Sequence, residues 1–108
     1  MTERLDEAAI AFRRATELSP ENVDAWVNLG VVLSTAGETE EAEQFLRQSI
    51  ERRPEHYVAW LNLIGLLYRT GRSREAEEIH KKALEIIPDF DTLTDDIKEY
   101  VESVDSSD

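Results

Sequence analysis

At 108 residues the chain has room for one domain of 1–104, and 41% apolar with 33% charged residues describes a globular rather than a disordered sequence. Its net charge of −12, from 24 acids and 12 bases, repels phosphate backbones and anionic lipid, which argues against nucleic-acid and membrane partners. The absence of cysteine removes disulfides, thiolate metal sites and thiol nucleophiles, and fits a reducing, cytoplasmic location.

The first element is a helix over 2–18, with Leu5, Ala8, Ala9, Phe12, Ala15 and Leu18 facing inward. Acids in Met1-Thr2-Glu3-Arg4-Leu5-Asp6 stand where the apolar stretch of a signal peptide would begin. Next, Trp26, Leu29, Gly30 and Leu33 recur at helical spacing up to a break at Ala36-Gly37. A third helix starts after Thr39, its candidate N-cap, and carries Ala42, Phe45, Leu46, Ser49 and Ile50 on one face. Pro54 ends it by forcing Arg53 out of the helical region. The same order returns with Trp60, Leu63, Ile64 and Leu67, then Gly71, then candidate N-cap Ser73, and then Ala76, Ile79, His80, Ala83 and Leu84 up to Pro88. A last helix over 91–104 aligns Leu93, Ile97, Tyr100, Val101 and Val104 opposite Asp95, Asp96, Glu99 and Glu102, as a solvent-facing cap should. Residues 105–108 read as a disordered tail.

These elements obey a period of 34. Between 23–56 and 57–90, 11 of 34 positions are identical, among them Trp26/Trp60, Asn28/Asn62, Gly37/Gly71 and Pro54/Pro88. The register runs back through Ala8, Ala15 and Pro20, so 2–20 is a half repeat lacking its first helix. A period of this length predicts an all-α solenoid of antiparallel helix pairs, about six helices in all. A half repeat at the start is expected of the C-terminal part of a longer array.

The spaced residues resemble the tetratricopeptide repeat family over roughly 2–90. Its pattern W-x2-L-G-x2-Y, A-x3-F, P is similar to Trp26-x2-Leu29-Gly30-x2-Leu33, Ala42-x3-Leu46, Pro54 and to Trp60-x2-Leu63-Ile64-x2-Leu67, Ala76-x3-His80, Pro88. Leu replaces Tyr in both copies, Ile64 the small residue and His80 the aromatic, which predicts looser packing in the second unit, with Gly65 compensating for Ile64.

The resemblance implies a right-handed superhelix whose first helices line a concave groove for an extended peptide or a partner helix. By position the groove residues are Asp24, Val27, Asn28, Val31, Ser34 and Thr35, then Val58, Leu61, Asn62, Gly65, Tyr68 and Arg69, with Thr92, Asp95, Asp96 and Glu99 from the last helix. Asn28 and Asn62 form a short ladder, because an amide can donate to a peptide carbonyl and accept from its N–H. The clamp that some members use on a C-terminal carboxylate needs inner-face bases. Val27, Val31 and Val58 stand there instead, and Arg69 is the only groove base. Asp24 and the acids of the last helix favour a neutral or basic partner segment.

Other constellations have structural explanations. Trp26 and Trp60 at core spacing are packing anchors, and truncating either is expected to cost about 3–5 kcal/mol. His80 is assigned to the buried face and His56 to the turn after Pro54; two lone histidines make no metal site. The glutamates lie on charged outer faces, where no apolar pocket raises a carboxylate pKa for acid–base work. No phosphate loop or Ser-His-Asp set is present. The expected function is therefore a protein-binding module without catalytic activity, cofactor or metal. The alternatives are a structural spacer, a self-association element pairing as a homodimer through 2–18, and the substrate-recruiting region of a larger enzyme.

Overall fold

The computed structural model describes residues 3–94, which hold five helices and the start of a sixth. They are α1 (Glu3–Leu18), α2 (Val23–Thr35), α3 (Thr39–Arg52), α4 (Tyr57–Arg69) and α5 (Ser73–Ile86), followed by helical residues 90–94. The fold is an all-α solenoid in which each helix packs against the next and α2 also touches α4. The expected cap over 91–104 beyond residue 94, the tail, and Asp95, Asp96 and Glu99 lie outside the described residues.

Each α2–α3 and α4–α5 turn is made by one glycine. Gly37 and Gly71 have φ of 88° and 81°, a left-handed conformation that costs a residue with a Cβ about 1 kcal/mol or more. Glu38 N–H donates to the Leu33 carbonyl and Arg72 N–H to the Leu67 carbonyl, at 2.9 and 2.8 Å, which satisfies carbonyls otherwise orphaned at a helix end. This tight turn leaves one residue before the next helix. Thr39 and Ser73 therefore open their helices instead of capping them. The capping positions are Glu38 and Arg72, and neither side chain bonds a helix-end N–H.

Between units the tryptophans fix the chain. Trp26 Nε1 donates to the Pro20 carbonyl at 2.9 Å, and Trp60 Nε1 to the Pro54 carbonyl at 2.6 Å. Trp60 is buried in the core with Leu29, Leu33, Leu46, Leu63 and Leu67. Trp26 is half-buried, held between the Phe45 ring, 5.4 Å away, and the Arg52 guanidinium, 4.5 Å above it.

The two units pack differently. A Cβ added at Gly30 would stand 2.9 Å from Leu46 Cγ, so the missing side chain is what lets α2 and α3 close over a fully buried Leu46. In the next unit Ile64 and His80 hold the equivalent positions, and α4 and α5 pack less extensively, as the departures from the repeat pattern predict. His80 is not on a buried face. Its side chain is 38% exposed, and Nε2 lies 2.6 Å from the Asp91 carboxylate, with the ring centroid 5.6 Å from that of Phe90. Gly65 does not compensate for Ile64, because a Cβ there would meet nothing within 4 Å. Leu18 also departs from expectation: it is 74% exposed at the last position of α1, while Thr16 is buried in its place.

On the outer helices an ion-pair ladder follows the 34-residue register. Arg13 meets Glu41 at 2.7 Å, and its repeat equivalent Arg47 meets Glu75 at 2.5 Å. Arg47 and Arg72 both hold Glu43, at 2.9 and 2.6 Å, and Arg72 also reaches Glu75. Hydrogen bonds from Arg72 and then Arg47 keep the Glu43 carboxyl below the ordinary glutamate range, and Arg13 does the same for Glu41. A carboxylate lowered on folding contributes stability above its unfolded pKa of about 4.3 and loses it as pH falls through the folded value.

Two outcomes follow for denaturation experiments. Gly30→Ala should destabilise by about 1–3 kcal/mol through overpacking against Leu46, whereas Gly65→Ala should stabilise by about 0.5–1 kcal/mol because it gains helix propensity without a clash. Equal effects at the two sites would remove the close approach as the reason for Gly30. Glu43→Gln should be less stable than the wild type at pH 6 by on the order of 1 kcal/mol, with the gap closing by pH 3. A gap that persists at pH 3 would mean that the ion pairs do not cause it.

Candidate functional site

The inner helices α2 and α4 lie side by side, and their facing turns enclose a hollow of about 490 Å³. Val31, Ser34 and Thr35 line it from α2, and Leu61, Asn62, Gly65, Leu66 and Arg69 from α4. Both helices expose residues at i, i+3 and i+4 on this side because outer helices α3 and α5 cover the opposite face. Apolar walls and a few polar groups are thus set along a shallow track.

The polar groups differ in how far the protein already occupies them. The Arg69 guanidinium donates to Ser34 Oγ across the hollow, tying α4 to α2. Arg69 forms no ion pair among the described residues, which leaves its charge available to the track. Asn62 Nδ2 donates to the Val58 carbonyl one turn back, at 2.9 Å, so its carbonyl oxygen and second N–H are left over. Thr35 Oγ1 is returned to the Val31 carbonyl at 3.0 Å. Asn28 is exposed on α2 but does not line this hollow, and its side chain has no hydrogen bond among the described residues.

Of the residues assigned to the groove from sequence, Val31, Thr35, Leu61, Asn62 and Arg69 come together here, with Ser34 and Gly65. Val27 does not. It is 3% exposed, because α2 is enclosed by α1, α3 and α4, and this part of the helix faces its neighbours. Val58 is half-buried against the core. Asp24 stands at the start of α2, where its carboxylate is 2.7 Å from Nε2 of His56, in the turn before α4. Thr92 is exposed on the last described turn.

Tyr68, 47% exposed, belongs to a second hollow of about 300 Å³ between α4, α5 and residues 90–94. Leu61, Ile64, Gly65, His80, Phe90, Asp91 and Thr94 complete its walls. Leu61 and Gly65 line both hollows, so the two adjoin. Reasoning from sequence missed this second hollow as a site, although Ile64 and His80, which depart from the repeat pattern, were the signal for it. Leu66 was also missed; nearly buried, it forms the floor of the first hollow, and no pattern in the sequence marks it. Among the described residues no three or more metal-ligating side chains gather, and no helix is long and apolar enough to cross a membrane.

The tetratricopeptide repeat pattern matches residues 21–89. Among solved structures, the crystal structure of MamA protein superposes with a TM-score of 0.73 and 28% sequence identity, over 78% of this chain and 46% of that one. The chain thus spans about half the length of that protein. No curated protein matches the sequence.

Because among the described residues the Asn28 side chain has no partner and that of Asn62 bonds only within its own helix, Asn28→Ala and Asn62→Ala should each change stability by less than about 0.5 kcal/mol. Thermal or urea unfolding checks this, and a larger loss would make either amide a structural tie.

Proposed function

The chain belongs to the tetratricopeptide repeat family, whose repeats mediate protein–protein interaction, and on that premise we propose that its α2–α4 track binds an extended peptide or helix of a partner protein. The observation that carries this reading is the pair of amides one repeat apart on the inner helices, at Asn28 and Asn62, both with hydrogen-bonding groups that no described residue uses. Spaced in this way they suit the polar groups of a peptide backbone, which every sequence offers. Each such bond contributes on the order of 0.5–1.5 kcal/mol net, so two are too few for tight binding. Contact with Val31 and Leu61 supplies the apolar remainder.

Charge narrows the partner. The net charge of −12 steers basic or neutral segments toward the chain and repels acidic ones. Arg69 is the exception on the track, and it can donate to a carbonyl or a single carboxylate near Ser34. The residues of this track supply binding groups rather than an activated nucleophile or a general acid–base pair, which supports an adaptor role without chemistry of its own.

A second reading has its own observation. Ile10 and Leu18 on α1 are 67% and 74% exposed, and they offer apolar contact to another copy of the chain. A random peptide library selected on the wild type and on Asn28→Ala/Asn62→Ala separates the two readings. Peptides enriched by the wild type alone, neutral or basic in character, are the expected result. Enrichment by neither protein, with a mass that rises with concentration, would replace the groove by pairing through α1.

A further inference from the structure

We propose that the second hollow, between α4, α5 and residues 90–94, is a side-chain pocket that seats one bulky apolar residue of a basic partner segment. This inference rests on the groove reading above and adds the feature that selects among segments.

The hollow arises from an exchange of large and small residues. In the preceding unit Gly30 allows Leu46 to close against α2, and both are buried. Here Ile64 fills the small position, and His80, in the place of Leu46, turns outward to Asp91. The helices cannot close, and a space of about 300 Å³ remains. Leu61, Ile64 and the buried Phe90 give it an apolar lining, and Tyr68 stands at its lip with 47% of its surface in water. At the small end of ligand pockets, it has room for one large side chain rather than a cofactor. Aromatic side chains at such a lip are characteristic of anchoring contacts between proteins.

Gly65 is the second observation. It sits in the middle of α4, where glycine costs about 1 kcal/mol relative to alanine, yet neither a positive φ nor a close packing contact requires it. It lies between the two hollows and lines both. A bare backbone there lowers the ridge that a segment must cross to place its main chain along Asn62 and one side chain in the pocket.

Charge fixes the flank of that side chain. Asp91 at the rim is 56% exposed, whereas Arg69, the base of the track, is held at the other hollow by Ser34. A Lys or Arg beside the apolar anchor meets the Asp91 carboxylate, in agreement with the net charge of −12.

The test is a peptide-library selection on the full chain, followed by affinity measurement on two variants. Ile64→Gly/His80→Leu restores the pairing of the preceding unit and closes the hollow. Asp91→Lys, at an exposed position, reverses the rim charge and keeps the inference testable if the double variant does not fold. Wild-type peptides should share a bulky apolar residue next to a base. They should bind the double variant about ten- to hundredfold more weakly. Asp91→Lys should shift the enriched neighbour from basic to acidic. Peptides bound equally well by both variants but lost in Asn28→Ala/Asn62→Ala would overturn the pocket while leaving the groove. If the wild type enriches nothing, both readings fall. Self-association abolished by the double variant would also overturn the proposal, because a second copy would then occupy the hollow.

Discussion

The close approach of α2 to α3 at Gly30 governs how the molecule is built. A helix pair of this length cannot bury its own apolar faces, so it must close tightly on itself and then stack on its neighbours. In the α2–α3 unit the absent side chain of Gly30 leaves the space that Leu46 fills. That contact sets how near α3 comes to α2, and α3 is the surface on which α4 is laid. Where the contact is lost, at Ile64 and His80, the unit still folds on Trp60, Leu63 and Leu67, but a hollow remains open. Core and candidate site are thus two outcomes of the same packing rule.

Polar chemistry is divided between the two surfaces. On the outer helices Arg13, Arg47 and Arg72 are consumed by Glu41, Glu43 and Glu75, in an arrangement that partly repeats with the units. Exposed pairs of this kind add little stability individually, at about 0.2–1 kcal/mol each, but they neutralise part of the acid excess and bind successive outer helices in register. On the inner helices the opposite holds. Among the described residues the Asn28 side chain is unpaired and Asn62 partly so, and Arg69 donates to the Ser34 hydroxyl and forms no ion pair. Two histidine–carboxylate pairs tie neighbouring elements: His56–Asp24 joins the turn before α4 to the start of α2, and His80–Asp91 joins α5 to the helical residues 90–94.

The sequence by itself determined the repeat: tryptophan, glycine and proline at a 34-residue spacing specify helix, turn and stop, and each acts through local backbone chemistry. Gly37 and Gly71 were legible because only glycine suits their left-handed φ, whereas Val31, Leu61 and Asn62 were placed on the inner face by the resemblance to the repeat family. The tertiary structure decided what depends on how extensively its neighbours pack on a helix. Val27 is buried while Leu61, its equivalent one repeat later, lines both hollows, because α1 and α3 pack more extensively on α2 than α3 and α5 do on α4. His80 carries the label of a core position but is half-exposed, since Ile64 takes the space on which that position relies. Periodicity reports which way a side chain points from its own helix. Whether another helix stands there to cover it is fixed only when the helices pack.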